Sequence, residues 1–218
     1  DFAIPQGTKI KQLYAKHLGR DTYLEVENNP TKKRYTRAIH NQPIGAEDHQ
    51  EVIVWQGDIY INELLIVNEP LEILPGTNIH LSPDASIIFK NNVQSVGKAD
   101  KKIRFLQSGN KPWGIIALFG EKTSGSFFEY TSISGGSGGY IGGYEFTGMF
   151  SIYSSQDVKL SKVDISNNSK YDDLIHILYS KRIELTNSNI FDALSDAIDI
   201  DISEMNINNC NFYNSGND

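Results

Sequence analysis

Hydrophobic positions along this chain recur in short alternating runs set apart by turn formers, a pattern of strands and not of helices. Val52, Val54, Ile59 and Ile61 make one such set, and Ile79, Leu81, Ile87 and Phe89 another. Pro75-Gly76-Thr77-Asn78, Ser82-Pro83-Asp84 and Gly109-Asn110-Lys111-Pro112 cut the runs apart. No stretch holds a helical period, so the pattern predicts an all-β fold from Glu51 onward.

The last third carries a repeat. Val158, Leu160, Val163 and Ile165 are spaced by 2, 3 and 2 residues, as are Ile183, Leu185, Ser188, Ile190 and then Met205, Ile207, Cys210, Phe212. The offset is 25 residues from Val158 to Ile183 and 22 from Ile183 to Met205. Phe128, Tyr130, Ile133 and Gly135 read as an earlier, blurred copy. A spacing of 2 keeps side chains on one strand face, and the extra residue in the spacing of 3 marks a corner. A unit of this length closes one coil of a parallel β-solenoid, with coils stacked about 4.8 Å apart and equivalent positions in files. Leu160/Leu185/Ile207 and Ile165/Ile190/Phe212 are the expected inner files. Val163/Ser188/Cys210 suits a cramped corner, which makes Cys210 a small, inert inward residue. Asn167/Asp192/Asn214 predicts a polar ladder at a turn that tolerates unusual backbone angles. The repeat length contradicts a propeller blade and the leucine-rich pattern is missing, so a β-sandwich is the main competitor.

The 218 residues are 39% hydrophobic and 22% charged, which suits a folded domain. No apolar run reaches the roughly 18 residues of a membrane span. A net charge of -7 argues against a nucleic-acid footprint. One cysteine excludes an internal disulfide. Residues 1–45 differ from the rest and read as an N-terminal linker or cap, with Lys32, Lys33, Arg34 and Arg37 as a solvated face and a short alternating pattern at Tyr23-Leu24-Glu25-Val26. Residues 46–218 form the expected β-helix. The start at Asp1 shows no signal-peptide pattern, and Ser215-Gly216-Asn217-Asp218 reads as an unfinished repeat, so a truncated domain is expected.

Ile73-Leu74-Pro75-Gly76-Thr77-Asn78-Ile79, then Ile103-Arg104-Phe105 and Trp113-Gly114-Ile115-Ile116, resemble the opening rungs of the right-handed parallel β-helix, or pectate-lyase-like, superfamily. Asp172-Asp173-Leu174-Ile175-His176-Ile177, Ser195-Asp196-Ala197-Ile198-Asp199-Ile200-Asp201 and Asn208-Asn209-Cys210-Asn211-Phe212 resemble the β-helix domains of bacterial CotH-kinase-like and surface-polysaccharide proteins. The resemblance covers residues ~50 to 218 and includes no kinase motif. It implies a secreted or cell-surface protein whose ligand, a polysaccharide, lies along the outside of one parallel sheet.

Aligning Phe150-Ser151-Ile152-Tyr153, Ile175-His176-Ile177-Leu178 and Ile198-Asp199-Ile200-Asp201 turns the isoleucines inward. Ser151, His176 and Asp199 then make one outward column, and Tyr153, Leu178 and Asp201 a second. His176 with Asp196, Asp199 and Asp201 are the candidate catalytic residues, because a histidine beside a carboxylate can exchange protons. With Asp172 and Asp173 the patch is acidic, which suits either a general acid with a raised pKa or a Ca²⁺ site built from carboxylate oxygens; no metal ligand is assigned and no cofactor is expected otherwise. Solvent-facing decoration of a solenoid explains the same residues without chemistry. Ser195-Asp196-Ala197-Ile198-Asp199 resembles a degraded polygalacturonase N-T-D-G-x-D motif, but its Asp-Asp, Gly-His-Gly and Arg-Ile-Lys companions are missing, and hydrolysis needs two carboxyls at a defined separation. A lyase would need a base such as Lys170, Lys181 or Arg182.

The Gly135–Tyr144 run lacks the Gly-Lys-Ser/Thr of a phosphate loop and reads as a flexible excursion whose Tyr140 and Tyr144 could stack on sugar rings. Tyr153, Asp172, Asp173, Tyr140 and Tyr144 are therefore the candidate ligand-binding residues. Trp55 and Trp113, both placed at strand starts, suit core or cap roles, and His17, His40, His49 and His80 have no metal spacing. These observations favour a rigid scaffold binding carbohydrate or a partner at the bacterial cell surface. The alternatives are a polysaccharide lyase, hydrolase or epimerase, and a plain structural spacer. The open last coil is expected to self-associate.

Overall fold

The computed structural model describes Tyr14–Lys16, Tyr23–Glu25 and residues 52–217. The chain separates into two units, Asp1–Arg34 and Tyr35–Asp218. In the first, Tyr14–Lys16 pairs antiparallel with Tyr23–Glu25. The basic cluster, His17, His40, His49 and the expected boundary at residue 45 lie outside the described residues.

The second unit is a right-handed parallel β-helix built from three all-parallel sheets. Sheet 1 stacks Ile53–Trp55, Leu71–Ile73, Val93–Val96, Phe127–Glu129, Lys159–Ser161, Ile183–Thr186 and Met205–Asn208. Sheet 2 stacks Asp58–Ile61, Asn78–Leu81, Ile103–Gln107, Thr131–Ser134, Asp164–Ser166, Asn189–Ala193 and Asn211–Ser215. Sheet 3 stacks Leu64–Val67, Ser86–Phe89, Ile116–Phe119, Gly148–Tyr153, Asp173–Leu178 and Ile198–Asp201. Each strand pairs with its counterpart one coil away, so the expected files form: Leu160 lies over Leu185 and Leu185 over Ile207. Ile165, Ile190 and Phe212 stack likewise. Apolar side chains stacked along these files make up a continuous buried core from Trp55 to Ala197.

The corners are left-handed. Asn167, Asp192 and Asn214 have φ of 60°, 55° and 57°, as the polar ladder requires, and the Asn214 side-chain amide donates to Asp192 Oδ1. A second ladder was not legible, because Tyr130, Lys162, Asn187 and Asn209 share the same conformation without sharing a residue type. This ladder also corrects the register of the blurred copy. Phe128 pairs with Leu160 and Ile133 with Ile165, so the true counterparts of Val158, Leu160, Val163 and Ile165 are Ser126, Phe128, Thr131 and Ile133. The hydrophobic spacing of Phe128, Tyr130, Ile133 and Gly135 mimicked the repeat two residues out of phase. Ser126 and Thr131 stayed hidden because they are polar, buried and satisfied: Ser126 Oγ accepts from Val93 N at 3.0 Å and Thr131 Oγ1 bonds Ser95 Oγ at 2.9 Å.

The opening rungs behave as core elements. Gly76 sits at φ 85°, and the Thr77 hydroxyl donates to Leu74 O at 2.7 Å, closing the turn beneath Trp55. Trp55 ends its strand, where the sequence reading placed it at a start, and both it and Trp113 are buried. No helix among the described residues is long and apolar enough to cross a membrane.

Candidate functional site

The outer surface of sheet 3 changes character along the tube. One outward file runs Ile66, Ile88, Ala117, Ser151, His176, Asp199. The next runs Phe119, Tyr153, Leu178, Asp201. Both predicted columns are therefore real neighbours in register, but they do not all meet solvent. The Gly-rich excursion is a β-hairpin, Gly139–Ile141 paired antiparallel with Tyr144–Phe146. Its turn residues Gly142 and Gly143 have φ of 58° and 85°, a combination that side chains resist and that matches strand twist. Phe146 and Ile141 cover Ile88, Ile115, Ala117, Phe119, Tyr153 and Leu178, which makes a second small apolar cluster outside the tube. An alternating run of only three residues interrupted by glycines is too short to announce such a hairpin.

The roof buries the middle of the outward columns. Tyr153 and His176 are buried, while Asp199 is half-exposed and Asp201 exposed. Tyr153 stacks on Phe146 with ring centroids 4.9 Å apart and meets the edge of His176. Its hydroxyl donates to Glu145 O at 3.1 Å, and burial pushes the phenol pKa up, with Asp173 and Glu145 adding to the shift. His176 Nδ1 is held by Thr147 Oγ1 at 2.7 Å and Tyr153 Oη at 2.8 Å. Its Nε2 faces Asp201 Oδ2 at 3.4 Å and Asp199 Oδ2 at 3.8 Å.

Asp173 joins the same cluster through an interruption in the strand. Leu174 and Ile175 both enter the core, so Asp173 and His176, three apart, face outward together. Donor atoms of Asp173, His176 and Asp199 lie within 4.8 Å of one another. Burial holds the Asp173 carboxyl above its usual range, opposed by a hydrogen bond from Thr147 and reinforced by Asp199. Asp172 is exposed and points its carbonyl, at 3.1 Å, toward the Asn168 amide. Asp196 accepts from the Asn217 amide at 3.1 Å at the margin of the cluster. Tyr140 and Tyr144 are exposed on the hairpin, the first with its hydroxyl 2.5 Å from Glu145 Oε1 and the second edge-on to Phe119.

The chain matches no family model, no curated protein and no solved structure. The fold is thus carried by its own register, and the site by its own geometry. Of the bases a lyase would use, Lys170 lies 3.7 Å from Asp84, and Arg182 clasps Asp157 with two bonds of 2.7 and 2.8 Å. Thr147, Gly148 and the Glu145 carbonyl were missed by sequence reasoning. Extending the strand alignment two residues back from Phe150 and Ile175 would have set Gly148 against Asp173. Cys210 is only partly buried, with Sγ 3.3 Å from Asn208 O.

Proposed function

We propose that this domain is a rigid extracytoplasmic scaffold of the pectate-lyase-like kind that binds carbohydrate on the outer surface of sheet 3. The supporting observation is the hairpin, which spans part of that surface and presents Tyr140 and Tyr144 to solvent, Tyr144 against Phe119, while Asp199 and Asp201 lie three coils further along the same sheet, half-exposed and exposed. Aromatic faces take the apolar faces of sugar rings, and carboxylates accept hydrogen bonds from their hydroxyls. Carboxylates also repel a polyuronate, so a neutral glycan fits best. An array of neutral and acidic glycans tests this: binding of a neutral polymer that is lost in the Tyr140→Ala/Tyr144→Ala double variant supports the reading. No binder above background, or unchanged binding by the double variant, rejects it.

A polysaccharide-acting enzyme is the second reading, favoured by the close approach of His176 Nε2 to two carboxylates. It predicts turnover of a polysaccharide by the unaltered chain that disappears in His176→Ala and Asp199→Ala.

A further inference from the structure

We propose that Asp173, His176 and Asp199 hold a divalent transition-metal ion of the Zn²⁺ class, with Nε2 of His176 as the nitrogen ligand. His176 is only 6% exposed, and its Nε2 has no hydrogen-bond partner although it faces the Asp199 and Asp201 carboxylates, with Asp173 completing a cluster of ligand atoms within 4.8 Å of one another. An unsatisfied buried nitrogen in a described structure is uncommon and calls for a partner.

The surroundings of the ring say what kind of partner. The Thr147 hydroxyl lies 2.7 Å and the Tyr153 hydroxyl 2.8 Å from Nδ1. Nδ1 is thus engaged by two hydroxyls, and Nε2 is the ring nitrogen left without a hydrogen-bond partner. Nε2 faces the Asp199 and Asp201 oxygens. A cation placed among these groups would satisfy the nitrogen and the carboxylates together. The distances of 3.4 and 3.8 Å are also longer than the 2.7–2.9 Å of a charge-assisted bond to a protonated ring.

The donor set selects the ion. Imidazole nitrogen suits Zn²⁺ and its first-row neighbours, whereas Ca²⁺ takes six to eight oxygens. The hydrogen bonds at Nδ1 fix the ring plane, as the outer partners of metal-bound histidines do. Asp201 Oδ2, also close to Nε2, is placed to add a fourth ligand. The site stands whether or not the domain binds carbohydrate.

Isothermal titration of the metal-free full chain with ZnCl₂ tests the proposal, with CoCl₂ as a spectroscopic probe and CaCl₂ for comparison. The expected result is one equivalent of Zn²⁺, visible Co²⁺ absorption bands, and a loss of at least about tenfold in Zn²⁺ affinity in both Asp199→Asn and His176→Ala. Asp199 is half-exposed, so its variant folds even if the histidine variant does not, and circular dichroism monitors both. Absence of stoichiometric Zn²⁺ binding, equal affinity in Asp199→Asn, or Ca²⁺ binding in preference to Zn²⁺ overturns the site. The Tyr140→Ala/Tyr144→Ala variant should keep its Zn²⁺, which separates this outcome from a failure of glycan binding.

Discussion

Gly148 lies directly under the strand that carries His176: a Cβ added there would fall 2.5 Å from the His176 backbone nitrogen and 2.8 Å from its Cβ. The two residues sit on adjacent coils, and only the missing side chain lets the strands pair closely enough to place Thr147 against the imidazole. Gly148→Ala should therefore cost about 1–3 kcal/mol, the usual effect of overpacking. Chemical denaturation of the two proteins measures it, and an unchanged midpoint would show that the coils are loosely coupled here.

Leu185 is fully buried between Leu160 and Ile207 in one inner file. Leu185→Ala leaves a cavity that the stacked neighbours cannot collapse, because their own backbones are pinned by the parallel ladders. A loss of about 2–5 kcal/mol is expected from equilibrium unfolding. A loss below 1 kcal/mol would mean the tube interior is not close-packed at this layer.

Ile202 has φ 47° and is 75% exposed. A β-branched side chain in this conformation carries about 1–2 kcal/mol of strain that asparagine largely avoids, and little burial is lost on replacing it. Ile202→Asn should raise Tm by about 2–4 °C in a thermal melt. A lowered Tm would show that the isoleucine makes contacts worth more than its strain.

Arg182 holds the Asp157 carboxyl below its usual range through side-chain hydrogen bonds. The depressed pKa means that the pair stabilises the fold above the unfolded carboxylate pKa, and that this contribution is lost as pH falls through the lower folded value. Melts of the unaltered protein and Asp157→Asn should differ at pH 6 and converge below the ordinary carboxylate range. Because the pair is solvated, the difference should also shrink in high salt. A gap that persists at low pH would assign the effect to packing.

Ile207 and Phe212, in the last layer of their files, are 45% and 43% exposed, whereas Leu185 and Ile190 one coil earlier are fully buried. In a polypeptide of these 218 residues alone, an exposed apolar layer of this kind drives association. Light scattering should show mass rising with concentration, and Phe212→Glu should suppress the rise. A constant monomer mass for the unaltered chain would contradict it.

Much of this architecture is written locally. Alternation decides which way Ile165, Ile190 and Phe212 point, and their spacing decides that they stack, because a parallel coil can bury such residues only by repeating them in register. The outward columns of His176, Asp199 and Asp201 follow from the same arithmetic. What spacing could not reach was the hairpin over sheet 3, the double core entry at Leu174 and Ile175, and the hydroxyl contacts from Thr147 and Tyr153. Those depend on which segments fold back across the tube, and side chains distant in the chain meet there without leaving a periodic trace. The sequence alone determined a stack of coils and the residues along its outer surface. Only the tertiary structure decided that Tyr153 and His176 lie beneath a roof while Asp199 and Asp201 stay open, because burial is a property of what covers a position and not of the position itself.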